Sequence, residues 1–110
     1  MAEVIGAQLV IEALRHEGID TVYVLPGDPV GSIVNNAAAM GMRVISVRHE
    51  QVATMAAQAH SYFTRSCGVA IAASGPAHTN TITGMANAWA NCWPVLVIAG
   101  SSENRRRNMG

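Results

Sequence analysis

Four short runs in this chain, TVYVL (21–25), RVISV (43–47), VAIAAS (69–74) and VLVIAG (95–100), are almost wholly apolar and rich in β-branched residues. A strand with one face in water alternates polar and apolar side chains, whereas a strand buried on both faces does not. Such runs predict a parallel sheet covered by helices on both sides, and the segments between them must supply the crossovers. Residues 7–17, AQLVIEALRHE, place Leu9, Val10, Ala13 and Leu14 on one helical stripe that Gly18 ends. VGSIVNNAAAM (30–40) is helical up to Gly41, a third helix runs from Glu50 to Thr64, and a fourth from His78 to Asn91. The expected fold is α/β, a doubly wound parallel sheet flanked by helices.

The fourth apolar run lies close to the end of the 110 residues, so a sheet that stops there has an uncovered hydrophobic edge. Native proteins avoid such an edge by adding structure or a partner. The expectation is therefore one incomplete domain, residues 1–110, of something larger, and no repeat or linker marks an internal boundary.

Composition narrows the function classes. Half of the residues are apolar, only 13% are charged, and seven Lys plus Arg balance seven Asp plus Glu. A formal charge of zero gives no support to a nucleic-acid or anionic-membrane partner, and neither is expected. The one basic run, Arg105–Arg107, reads as a solvated tail. Cys67 and Cys92 stand alone and are expected to be core thiols in a reducing compartment. His16, His49, His60 and His78 are too scattered for a zinc pattern, so no metal is assigned to this chain's own residues. With no signal-like N-terminus and no apolar window of roughly 18 residues, a soluble, cytoplasmic protein is expected.

In open α/β sheets, ligands bind beyond the carboxyl ends of the strands, where loops and helix N-termini aim backbone donors at them. The turn-forming, hydroxyl, amide and ionisable residues of this chain gather at those ends: Pro26-Gly27-Asp28-Pro29, Arg48-His49-Glu50, Ser74-Gly75-Pro76-Ala77-His78-Thr79-Asn80 and Gly100-Ser101-Ser102-Glu103. That edge is the candidate site. It contains no GxGxxG or GxxxxGK[ST] phosphate cradle, and Ser74 is not in a GxSxG elbow, which argues against nucleotide binding and serine hydrolysis. Three ionisable groups at the second joint stand out in a chain so poor in charge. Glu50 either caps its helix and offsets the macrodipole or, desolvated between apolar segments, has a raised pKa suited to exchanging a proton with a ligand. His49 reads as an orienting or core-edge imidazole and Arg48 as half of a surface salt bridge.

Taken together, PG after the first strand, RHE at the second joint, SGP with TN at the third and GSSE at the fourth resemble the N-terminal pyrimidine-binding domain of the thiamine-diphosphate enzymes grouped around acetolactate synthase. The likeness runs from GIDTVYVLPGDPV through essentially the whole chain. NCWPVLVIAGSSE is most similar to the branch containing 2-hydroxyacyl-CoA lyases and oxalyl-CoA decarboxylases. The resemblance implies that Glu50 hydrogen-bonds N1′ of the cofactor's aminopyrimidine and favours the imino tautomer that deprotonates thiazolium C2. Pro26 and Gly27 would line the pyrimidine pocket, and Ser74, Pro76 and Asn80 would shape the wall near cofactor and substrate. His49 and His78 are candidates for the substrate side.

Two positions depart from the family pattern. Many members have Gly-Pro-Gly where this chain has Gly75-Pro76-Ala77, and a Cβ at position 77 is expected to restrict the turn. His78 stands where a smaller side chain is common, either as a substrate-facing acid or base or as a first-turn residue facing solvent. The family's GDG motif with its later Asn, which holds the diphosphate through Mg²⁺, has no counterpart, since Gly27-Asp28 is followed by Pro29. Mg²⁺ binding would therefore fall to a C-terminal domain absent from this chain or to a second subunit. The resemblance also implies a homodimer or tetramer with the active site between subunits. Ala53, Ala56, Ala57 and Ala59 would then pack at such an interface or on their own sheet. The resulting expectation is part of a thiamine-diphosphate lyase or decarboxylase acting on 2-hydroxyacyl-CoA, oxalyl-CoA or related 2-oxo acid substrates. The alternatives are an acetolactate synthase large-subunit fragment, a split-enzyme subunit, or a non-catalytic module.

Overall fold

The computed structural model of the chain describes residues 5–101. Its elements are α1 (Gly6–His16), β1 (Thr21–Val24), α2 (Gly31–Ala39), β2 (Arg43–Ser46), α3 (Glu50–Thr64), β3 (Gly68–Ala72), α4 (Pro76–Thr79), α5 (Ile82–Ala90) and β4 (Val95–Ala99). The strands form one parallel sheet in the order β2-β1-β3-β4. From β1 the chain moves outward through α2 to β2, and from β3 it moves outward the other way through α4 and α5 to β4. The order thus reverses between β1 and β3, which makes that gap the topological switch point. Helices α1 and α2 pack together on one face, and α3 with α5 on the other.

Period-two alternation along the strands sorts the interior into two layers. Val22, Val24, Val69 and Ile71 face α1 and α2, where Ile11, Leu14, Val30, Ala37 and Met42 complete a fully enclosed core. Tyr23 and Ala70 face the opposite way, onto Ala53 and Ala57 of α3. This second layer is thin because small residues meet small residues. A Cβ added at Gly68 would run into the backbone carbonyl of Ala57, and one added at Gly84 of α5 would run into the Thr54 side chain. Of the four alanines of α3, Ala53 and Ala57 thus pack on the chain's own sheet, while Ala56 is half-buried and Ala59 exposed.

Four expectations are corrected by the tertiary arrangement. In α1 the buried pair is Ile11 and Leu14, with Val10 packed beside them, while Leu9 is 53% exposed and Ala13 faces solvent. The i, i+3, i+4, i+7 set from Ala7 through Leu14 is the one turned inward. Strand β2, read as buried on both faces, lies at the sheet edge with Arg43 and Ser46 exposed, because β1 and β3 take the two inner positions. Cys92, expected in the core, is exposed just after α5 with φ +55°, and only Cys67 is partly enclosed. The helix expected over 78–91 begins earlier and is divided, with Asn80 and Thr81 between α4 and α5.

Among the described residues β4 is the outer strand, as the expected hydrophobic edge requires, and Leu96 is 43% exposed. Beside it, Tyr62 stacks against Phe63 and Trp93 with ring centroids 5.2 and 5.0 Å away, and Arg65 lies 5.4 Å from the Tyr62 ring centre. Trp89 is 87% exposed and, with Ala88, Cys92, Trp93 and Pro94, lines an apolar groove of about 440 Å³. Four of the chain's five aromatic residues therefore collect at one surface corner. Among the described residues no helix is long and apolar enough to cross a membrane.

Candidate active site

The carboxyl ends of the strands converge as the sequence implies. After β1, the turn at Gly27 closes with the Val30 amide donating to the Gly27 carbonyl at 3.1 Å. A Cβ on Gly27 would stand 3.0 Å from that of Ala73, so the loops after β1 and β3 already touch at the switch point. A Cβ on Gly100, just past β4, would meet Pro29 Cδ at 2.5 Å. Ser102 and Glu103 of the fourth strand end, like Arg105–Arg107, lie outside the described residues.

Strand β2 delivers the chain to the start of α3. His49 is its N-cap: the backbone is extended, and ring Nδ1 accepts a hydrogen bond from the Gln51 amide at 3.1 Å. That pins the imidazole to its own helix end, in line with an orienting role, and leaves it exposed. Arg48 is exposed and forms no ion pair among the described residues. Glu50 is the first residue of α3 and, at 7% exposure, the buried member of the trio.

The third loop supplies its partner. Gly75 takes φ +64°, the left-handed region that glycine tolerates, and Pro76 opens α4. The expected restriction at Ala77 does not arise, since Ala77 lies inside α4 and the turn's unusual backbone falls on Gly75. His78 is exposed and uses its carbonyl oxygen to accept from Thr81 Oγ1 at 2.7 Å. Asn80 Nδ2 then donates to Glu50 Oε2 at 3.0 Å across 30 residues of sequence. Ser74 is half-buried and Pro76 and Pro26 are exposed along the same edge.

This geometry overturns the expectation of a raised Glu50 pKa. The Asn80 amide holds the carboxyl below its ordinary value, outweighing the opposing effect of burial, and the helix's own first N–H and the neighbouring His49 add to the lowering. An N–H donor stabilises the charged form more than the neutral one. The native state consequently binds the Glu50 proton less readily than the unfolded chain, whose ordinary value is 4.5. Glu50 then contributes stability that is fully present above that value and is lost as pH falls through the lower native one. Urea unfolding followed from neutral to acidic pH is expected to show a shallower acid loss in Glu50→Gln than in the wild type. Equal slopes would show that the carboxylate gains nothing from its partners.

A parallel, doubly wound sheet with a buried carboxylate at its carboxyl-terminal edge is the arrangement in which open α/β domains place their ligand sites. The comparisons narrow the class. Residues 5–110 match the family model for the thiamine pyrophosphate enzyme N-terminal TPP-binding domain. The chain belongs to that family. It is 41% identical over 108 residues to human 2-hydroxyacyl-CoA lyase 1, a match covering 98% of this chain and 19% of that protein. It is 40% identical over 98 residues to oxalyl-CoA decarboxylase of Escherichia coli K12, covering 89% of this chain and 17% of the other. Similarity of 42% over 95 residues to the large subunit of acetolactate synthase isozyme 2 from the same strain covers 86% and 17%. The chain thus spans about a fifth of the length of the curated relatives it matches.

The sequence nominates Glu50 and Asn80 as candidates without pairing them; the structure brings them into contact. The only local signal was TN following SGP, and the contact depends on the division between α4 and α5.

Proposed function

We propose that the chain serves as the pyrimidine side of a thiamine-diphosphate lyase or decarboxylase acting on 2-hydroxyacyl-CoA, oxalyl-CoA or a related 2-oxo acid derivative. The observation that carries this reading is the buried, ionised Glu50 carboxylate at the strand ends, with Asn80 on Oε2 and no other side chain of the described residues donating to it. The donor set fits the pyrimidine end of the cofactor: an anionic oxygen is what a protonated ring nitrogen requires. When bound, the cofactor supplies the electron sink for carbon–carbon cleavage or loss of CO₂. This chain's part is to hold the proton at N1′ through Glu50, to line the ring's surroundings with Pro26 and Gly27, and to form the wall with Ser74 and Pro76. His49 and His78, both exposed on this edge, are the groups offered to substrate.

The diphosphate end finds no comparable set here, since the chain has no lysine and its strand-end loops lack a phosphate cradle. Diphosphate and Mg²⁺ are assigned to a further domain or a second subunit, in a homodimer or tetramer. The aromatic corner and the β4 edge are suited to such contacts, because Trp, Tyr and Arg dominate interface energetics.

The substrate class rests on the 2-hydroxyacyl-CoA lyase and oxalyl-CoA decarboxylase relatives, against acetolactate synthase at similar identity. The full-length protein with thiamine diphosphate and Mg²⁺ is offered a 2-hydroxyacyl-CoA, oxalyl-CoA and pyruvate separately. Release of formyl-CoA from either thioester supports the reading. Condensation of pyruvate to acetolactate with no thioester turnover would replace it by the synthase alternative.

A further inference from the structure

Resting on that reading of Glu50, we propose that Asn80 is a positioning residue whose side-chain amide fixes the carboxylate through Oε2, rather than a wall residue that touches the cofactor. The distance is 3.0 Å, and the amide nitrogen is the atom facing the carboxylate, an orientation imposed by charge because Oδ1 in its place would set two acceptors against each other.

Asn80 is exposed, but the backbone that carries it is held in place. Its amide donates to the Pro76 carbonyl at 2.9 Å, and the next residue, fully buried Thr81, donates its hydroxyl to the His78 carbonyl at 2.7 Å. The division between α4 and α5 is thereby pinned on both sides of Asn80. On the other side of the contact, Thr54 donates to the Gln51 carbonyl in the first turn of α3 at 2.9 Å and packs where Gly84 of α5 has no Cβ. The starts of α3 and α5 are therefore locked in one register, and the Glu50–Asn80 bond closes between them.

The chemical consequence follows from the donor. An amide N–H stabilises the anion more than the neutral acid, so Asn80 favours the anionic form of Glu50. Among the described residues the one ionisable side chain acting on Glu50 is His49, from the same helix end, and a positive charge there, which would require release of the Gln51 amide from Nδ1, works in the same direction. Removing Asn80 should raise the pH at which Glu50 takes a proton and ceases to be an anionic partner for N1′.

The test is the affinity of the full-length protein for thiamine diphosphate in excess Mg²⁺, measured by titration calorimetry from acidic to neutral pH. Wild type, Asn80→Ala, Asn80→Asp and Glu50→Gln are compared, each checked for folding by circular dichroism. The acid limb of binding is expected to move to higher pH in Asn80→Ala, with affinity at neutral pH about tenfold weaker. It should move further in Asn80→Asp, which keeps the shape but puts a like charge against Glu50. A merely structural role for Asn80 predicts no such ordering. If the limb disappears in Glu50→Gln yet stays at its wild-type position in both Asn80 variants, the positioning role is refuted while the reading of Glu50 stands. If the limb is unchanged in Glu50→Gln, Glu50 is not the cofactor's partner and the role of Asn80 falls with it.

Discussion

Replacing Glu50 by Gln in the full-length protein is expected to lower kcat by roughly 10²- to 10⁴-fold at saturating cofactor, the range for removing a positioned acid–base group. Glutamine keeps the volume of the side chain and can still accept from Asn80, so α3 should begin where it does now. What it loses is the negative charge that, on the proposed reading, holds a proton at N1′. Exchange of the C2 hydrogen with solvent, followed by NMR after acid quench, should slow alongside turnover. Saturating thiamine diphosphate separates this effect from weaker binding. Turnover and exchange that survive undiminished would remove Glu50 from the chemistry and favour a non-catalytic role for this domain.

The second large effect is on stability. Gly68 opens β3 and is fully enclosed, and any Cβ there meets the Ala57 carbonyl carbon at 2.5 Å as well as its oxygen. The obstacle is helix backbone, which cannot rotate aside, and retreat of α3 would pull Ala53 and Ala57 off Ala70. Gly68→Ala is therefore expected to destabilise by about 3 kcal/mol, at the upper end of overpacking costs. Against a typical total of about 5–15 kcal/mol this is a large fraction. The denaturant midpoint of the full-length protein measures it, with Gly27→Ala as a milder comparison, since there the neighbour is a single Ala73 methyl at 3.0 Å. Equal midpoints for Gly68→Ala and wild type would mean that the close approach of α3 to β3 is not obligatory. Because α3 carries Glu50 at its first turn, the same change should also weaken cofactor binding.

How much of this was legible beforehand differs between elements for identifiable reasons. The limits of α3, Glu50 to Thr64, are those read from the sequence, because the β-branched run before it and the alanine-rich segment within it are local signals, whereas the His49 cap and the left-handed stop at Arg65 are visible only in the structure. The continuous apolar character of VAIAA matches β3, which is buried at every position. RVISV has the same character, yet β2 is an edge strand with both terminal residues exposed. Nothing within five residues records which neighbours a strand will have. In α1, Val10 and Leu14 of the expected stripe do face inward, and only docking against α2 and the sheet added Ile11 to them in place of Leu9 and Ala13.

The candidate site divides in the same way. Its location at the strand ends and the singular position of Glu50 follow from residue order, because crossover connections place every such loop on one edge of a parallel sheet. The sign of the Glu50 pKa shift does not. Sequence shows a carboxylate between apolar segments and so suggests desolvation, whereas the contact that prevails comes from Asn80. The sequence by itself determined the α/β class, the family and the edge on which the candidate residues gather, since these depend on periodicity and local motif. Only the tertiary structure decided strand order, the close seat of α3 on β3 and the pairing of Glu50 with Asn80. Each of those is set by contacts between residues far apart in the chain, where packing and a single hydrogen bond outweigh local preference.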